Sequence, residues 1–205
     1  MRQLILALLI LYSVLTQAIS LSPLETFHAQ FQQVTFDQNT RELLFKTQGE
    51  VWFKQPYYYR WVLGSPVQSI ALKYTQDSFW VIEPPLFQAT QYRSAEHLAA
   101  QIPLWVLSEP KQLKKHFKIK SLKSKPLFGA AYQLHPKQPM GFLDHLVLYL
   151  KGGRLSRLMI YQTTPHLIQV TFQNPEYNLK INHELFELKI PSDYDKISFN
   201  TRSAF

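Results

Sequence analysis

The chain contains no cysteine. That excludes thiol catalysis, a disulfide scaffold, Cys-type zinc sites and a thioether lipid anchor. Glycine is scarce, six in 205 residues, which argues against glycine-rich phosphate loops and a glycine-punctuated solenoid. No G-x-S-x-G elbow, P-loop or dinucleotide fingerprint occurs. The seven histidines (His28, His97, His116, His135, His145, His166 and His183) never fall at H-x-x-x-H or H-E-x-x-H spacing, so the usual zinc signature is missing. Acidic residues are the minority, 14 against 22 Lys and Arg, for a net charge of +8. They are scattered, with Glu184/Glu187 and Asp193/Asp195 the close pairs. This reading disfavours an enzyme and expects neither metal nor cofactor.

What is present begins at the N-terminus. Arg2 precedes an apolar run from Leu4 to Leu15, and Thr16-Gln17-Ala18 ends it with small residues. The run is too short for a bilayer span of roughly 20 residues and has the form of a secretory signal peptide cut after Ala18. No second run of that kind follows. The expected organisation is a signal peptide over 1–18 and one domain over 19–205. A cysteine-free exported chain suits a periplasm, where nucleic acid is not an expected partner of its basic charge.

Aromatic residues are plentiful at 14%, more than disordered chains carry. Ser22 to Phe36 reads as a helix: Ser22 and Glu25 form a capping box, Pro23 takes the first turn, and Leu24, Phe27, Phe31 and Val34 make one stripe. Short aromatic and β-branched segments then predict strands at Glu42–Thr47, Gly49–Lys54, Tyr57–Leu63, Ser69–Thr75, Ser78–Glu83 and Phe87–Gln91. Gln55-Pro56, Gly64-Ser65-Pro66, Gln76-Asp77 and Pro84-Pro85 separate them. Ser94–Ala100, Pro103–Leu107 and Glu109–Phe117 read as helices. Further strands are expected at Phe117–Leu122, Ala131–His135, Leu143–Leu150, Arg154–Tyr161, Leu167–Phe172 and Glu184–Ile190, with a patternless tail from Lys196. Breaks this short imply an antiparallel meander. About eleven strands enclose more space than side chains alone fill. Either the sheet encloses a ligand cavity or helices plug it; a two-sheet sandwich with a dry core is the alternative, and periodicity does not choose.

Phe27-His28-Ala29-Gln30-Phe31-Gln32-Gln33 has the form F-x-A-x-F-x-Q. Gly49-Glu50-Val51-Trp52-Phe53-Lys54-Gln55-Pro56 with Tyr59-Arg60-Trp61 makes a hairpin motif. Phe79-Trp80, Pro103-Leu104-Trp105-Val106-Leu107, Tyr132-Gln133-Leu134-His135-Pro136 and Phe186-Glu187-Leu188-Lys189-Ile190-Pro191 follow. Together, and in this order, these motifs resemble those of the family of periplasmic outer-membrane lipoprotein carriers, LolA.

The resemblance implies an α+β fold: an incomplete, strongly curved antiparallel β-barrel covered by short helices that enclose a hydrophobic cavity for acyl chains. It also implies a monomer whose partners are outer-membrane lipoproteins, an inner-membrane lipoprotein-releasing ABC transporter and an outer-membrane receptor lipoprotein. A carrier or sensor of another lipid is the alternative. Candidates for cavity or lid are Phe27, Phe31, Trp52, Trp61, Trp80, Leu104, Val106 and Leu107. Which strand face lines the cavity is open, because Val51 and Phe53 oppose Trp52. Gln55 stands where the best-known carriers have an Arg that latches the lid, so a latch here would lack charge assistance. Tyr59 occupies the transporter-contact position. The lysines Lys111, Lys114 and Lys115, with Lys118, Lys120, Lys123 and Lys125, form a solvated face or a docking surface. His135 and His145 are expected to lie on adjacent strands, whereas strand alternation should keep Asp144 and His145 apart.

Overall fold

Phe27, Ala29 and Phe31 alternate with His28, Gln30 and Gln32, a period of two hidden within the helical spacing read above. In the computed structural model, which describes residues 24–73, 79–92, 110–123 and 129–199, this segment is a strand, β1 (Thr26–Asp37). The expected helix over Ser22–Phe36 is therefore corrected. Paired backbones flank β1 on both sides, and the small Ala29 sits between two buried phenylalanines. Val34, counted in the helical stripe, stands an odd number of residues from Phe31 and so faces the other side.

Eleven further strands follow: β2 (Leu43–Lys54), β3 (Tyr58–Leu63), β4 (Ser69–Lys73), β5 (Phe79–Glu83), β6 (Gln88–Tyr92), β7 (Phe117–Leu122), β8 (Ala130–Pro136), β9 (Leu143–Lys151), β10 (Arg154–Gln162), β11 (His166–Tyr177) and β12 (Asp195–Phe199). A short helix, α1 (Pro110–His116), precedes β7. The two strands expected over 42–54 are one continuous strand. The helices expected over 94–100 and 103–107 lie outside the described residues.

All twelve strands form one open sheet in the order β12-β6-β5-β4-β3-β2-β1-β11-β10-β9-β8-β7. Each pairing is antiparallel except β12 on β6. The sheet curves, so that a single apolar cluster runs from Phe79 of β5 through Phe27 and Phe31 of β1 to Leu134 of β8 and Phe117 of β7, with Leu113 of α1 packed into it. We call this the inner face. Bulges interrupt the ladder where bending is needed. On β11, Asn174 adopts a left-handed φ of 47° inside a register shift opposite β1, which lets Phe172 and Tyr177 both reach the inner face despite their odd separation. On β10, Ser156 fills a second shift and donates to the Tyr149 carbonyl at 3.0 Å.

After β11 the chain crosses the outer face as an irregular strap. Phe186 and Ile181 of the strap are buried against Leu72, with Trp52, Tyr58, Leu179 and Leu188 partly buried around them. Lys54 donates to the Ile181 carbonyl at 3.4 Å, and Arg60 to that of Leu185 at 3.3 Å. The strand expected at Glu184–Ile190 is corrected: His183–Phe186 is a 3-10 turn capped by Asn182. The alternating Phe186 and Leu188 anchor side chains without a backbone ladder. The start of the tail expected to be patternless instead forms β12 (Asp195–Phe199), and the rest lies outside the described residues. This strand needs no side-chain pattern, only the edge of β6, and the long crossover lets it pair parallel.

The exposed Lys118 and Lys120 project from β7, the opposite edge strand. Lysines on an edge oppose strand addition by other chains. That accounts for part of the basic stretch.

Candidate functional site: the inner apolar face

Cross-strand partners point to the same face, so the register assigns each aromatic. Phe27 lies opposite Phe53 and Tyr177, and Phe31 opposite Phe172 and Gly49. Val51 faces Trp61, and Phe53 faces Tyr59. Phe31 and Trp61 meet with ring centroids 4.0 Å apart, and Phe27 makes edge contacts with Phe172 at 5.7 Å and Tyr177 at 5.3 Å. Phe79 stacks on Tyr92 at 4.9 Å. These rings form an apolar wall along the inner face.

Two tyrosine hydroxyls interrupt the wall. Tyr177 donates to the Leu155 carbonyl at 3.2 Å; burial pushes its phenol up to about 12, with Arg154 stacked on its ring pulling the other way. The Tyr59 hydroxyl is buried and has no hydrogen-bond partner among the described residues, and burial raises its phenol strongly. Unpartnered buried hydroxyls are costly, which makes this a polar spot in an otherwise oily surface.

Of the residues singled out in the sequence, Phe27, Phe31 and Trp61 come together on this wall. Trp52 and Trp80 do not. Trp52 pairs with His28 and Arg60 on the outer face and stacks on His28 at 5.3 Å, while Trp80 lies opposite Leu72, which the strap covers. Leu104, Val106 and Leu107 lie outside the described residues, as does the Lys111 side chain. Gln55 donates through its amide to the Leu24 carbonyl at 2.7 Å, tying the β2–β3 turn to the start of β1. Tyr59 is inside the wall and not on the surface. Lys114 and Lys115 are exposed at the end of α1. Phe53, Phe79, Phe172 and Tyr177 were not singled out as wall residues. Phe53 carried a local signal in its alternation with Val51, and Phe79 one in the Phe79-Trp80 motif; Phe172 and Tyr177 join through long-range register.

A cleft of about 400 Å³ lies where β2 runs past the end of β3, touching Gln30, Gln48, Glu50 and Val67. Its glutamine-rich walls suit an acyl chain poorly.

The outer face holds an ionic cluster. His28 Nδ1 is 2.7 Å from Glu176 and its Nε2 2.6 Å from Glu50. Burial alone would lower the imidazole pKa, but the hydrogen bonds and charges of Glu176 and Glu50 outweigh it, and the net shift is upward. A raised histidine stabilises the fold fully below its unfolded value near 6.5 and loses that contribution as pH rises through the folded value. Comparing chemical denaturation of the protein and of His28→Gln from about pH 6 to about pH 9 should show their stability gap shrinking with pH. A constant gap would mean that the proton does not contribute.

Farther along, His135, His145 and Tyr161 stack, with centroids 4.9 and 4.1 Å apart, so the two histidines do meet. Asp144 and His145, expected to diverge, are hydrogen bonded at 2.7 Å. The register shift opposite Tyr161/Gln162 removes the strict alternation there. Among the described residues, no three His, Asp or Glu side chains converge to hold a metal.

Comparisons with known proteins agree with the architecture. The family described as "Outer membrane lipoprotein carrier protein LolA" matches residues 22–189. An outer-membrane lipoprotein carrier protein of Coxiella burnetii is 26% identical over 171 residues, 82% of this chain and 79% of that protein. One of Chromohalobacter salexigens is 23% identical over 178 residues, 86% of this chain and 82% of that protein. Among solved structures, a DUF1329 family protein from Desulfovibrio piger superposes with a TM-score of 0.50 at 10% identity, covering 80% of this chain and 90% of that one; this likeness concerns the fold alone. With most of its length matched, from before β1 into the strap, the chain belongs to the LolA family.

Proposed function

We propose that this protein is a periplasmic carrier that shelters the acyl chains of lipoproteins on its inner face. It receives them from an inner-membrane ABC transporter and passes them to an outer-membrane receptor, residues 1–18 having served for export. The observation that carries the reading is the apolar wall along the inner face; membership in the LolA family and the carrier names of its relatives support it.

The physical need is plain. Each buried CH₂ is worth about 0.8 kcal/mol, so a chain of roughly sixteen carbons resists entering water by on the order of 10 kcal/mol. A wall that already packs Phe31 on Trp61 and Phe27 on Phe172 would exchange ring–ring contacts for ring–chain contacts on loading. Such an exchange yields less than filling a dry void, and cargo held moderately can be handed on. Gln55, a neutral amide bonded to Leu24, favours a weaker latch and leaves a carrier of another lipid as the second reading.

The test is release of a radiolabelled lipoprotein from vesicles bearing the transporter and ATP. Soluble complex should form with the protein, and Phe31→Glu should abolish it. Absence of any soluble complex with the folded protein would reject the reading.

A further inference from the structure

Hairpin tips facing water are normally polar, yet β2 opens with Leu43, Leu44 and Phe45, exposed by 53%, 47% and 44%. Three consecutive exposed apolar residues in a well-paired strand call for an explanation other than folding. From residue 43 to 47, among the described residues, β2 pairs only with β1, so this arm projects past the end of β3. Phe142, between β8 and β9, is exposed by 63%.

These tips are joined. Gln38, at the end of β1, donates its backbone N–H to the Pro165 carbonyl at 2.8 Å, and its side chain donates to the carbonyls of Gln162, Thr164 and His166. Thr163 then donates to the Phe142 carbonyl at 2.8 Å. Lys137 donates its backbone N–H to the His116 carbonyl and its ammonium to the Lys114 carbonyl at 2.6 Å. Three strand connections and the end of α1 therefore make one hydrogen-bonded ledge along one end of the sheet.

The charge on that ledge has one prevailing sign. Arg41, Lys46, Lys114, Lys115 and Lys137 are exposed on it. Against them stand Asp37, whose carboxylate accepts the backbone N–H of Asn39 and Thr40, Glu42, and Asp144, bonded to His145. The exposed Leu86, at the same end but beside β12, has acidic Glu83, Asp193 and Asp195 in the adjoining chain. Apolar tips flanked by cations fit a surface that is oily beneath and anionic above.

We infer that the ledge formed by the β1–β2 tip, the β8–β9 turn and the end of α1 docks on an anionic phospholipid membrane, with Leu43, Leu44, Phe45 and Phe142 entering the interface and the basic side chains meeting headgroups.

Vesicle flotation with the purified folded protein tests it, using phosphatidylcholine alone and phosphatidylcholine with phosphatidylglycerol. Binding should favour the anionic vesicles and weaken with salt. The pair Phe45→Ser, Phe142→Ser should lower it by about tenfold or more, and Lys114→Glu with Lys137→Glu should erase the anionic preference. Leu86→Ser should leave binding unchanged. Thermal melts of each variant check that these surface changes leave the fold intact. No flotation, flotation indifferent to the Phe45/Phe142 pair, or an equal loss with Leu86→Ser would overturn the inference.

Discussion

Replacing Gly49 by alanine should destabilise the protein by about 3 kcal/mol, although the change adds a single methyl group. Gly49 lies in β2 opposite Phe31 of β1 and Leu63 of β3. A Cβ built there overlaps the Val62 carbonyl oxygen and the Phe31 ring tip. The carbonyl belongs to the β3 ladder and cannot turn away. The ring is clamped against Trp61 at 4.0 Å. The absence of a side chain at 49 is thus what allows Phe31 to lie across β2 and complete the wall. Urea denaturation should show a lower midpoint with an unchanged slope. Gly152→Ala is the comparison: its left-handed φ of 60° is strained for alanine, but nothing lies within 4 Å of the new Cβ, so about 1 kcal/mol is expected. Equal losses at the two positions would contradict the steric account.

The second large effect concerns the strap. Phe186→Ala should cost about 3–5 kcal/mol, the range for truncating a buried aromatic. Phe186 is fully buried with Leu72 and Ile181, and its ring lies 5.7 Å from that of Tyr58. The strap also delivers β12 to the edge of β6, where the Asp195 N–H bonds the Phe87 carbonyl at 2.8 Å. Loosening the anchor should therefore open that edge before the rest of the sheet. Hydrogen exchange should accelerate over Asp195–Phe199 and Gln88–Tyr92 while β9 and β10 stay protected. Uniform acceleration across all strands would show that the strap is not a separate cooperative unit.

The hairpins were legible because their signals are local. Gln55-Pro56, Gly64-Ser65-Pro66 and Pro84-Pro85 each break an apolar run, and the strands appear on either side of them, within a residue or two of expectation. β1 was misread because Leu24, Phe27, Phe31 and Val34 satisfy helical spacing. The alternation of Phe27, Ala29 and Phe31 is hidden within that spacing, and the ladders with β2 on one side and β11 on the other decide for a strand. The strap and β12 were illegible for a related reason: Phe186 and Leu188 look like an alternating strand, while the edge that β12 joins lies about a hundred residues earlier in sequence. Facing was the main uncertainty at the site. Trp52, Trp61 and Trp80 are equivalent by composition, but register turns Trp61 inward and the other two toward the outer face. Phe27 and Phe31 could be chosen from their motif, whereas Phe172 and Tyr177 join the wall only through the curvature of the sheet.

The account rests on the inner face as the place where an acyl chain lies. The most direct measurement is photocrosslinking with a lipopeptide whose palmitoyl chain ends in a diazirine, followed by mapping of the modified residues by mass spectrometry. Adducts should fall on Phe27, Phe31, Trp61 and their neighbours on the inner face, and be competed away by unlabelled lipopeptide. Competed adducts confined to Trp52, Trp80 and the strap, or no competed adduct anywhere on the folded protein, would contradict it.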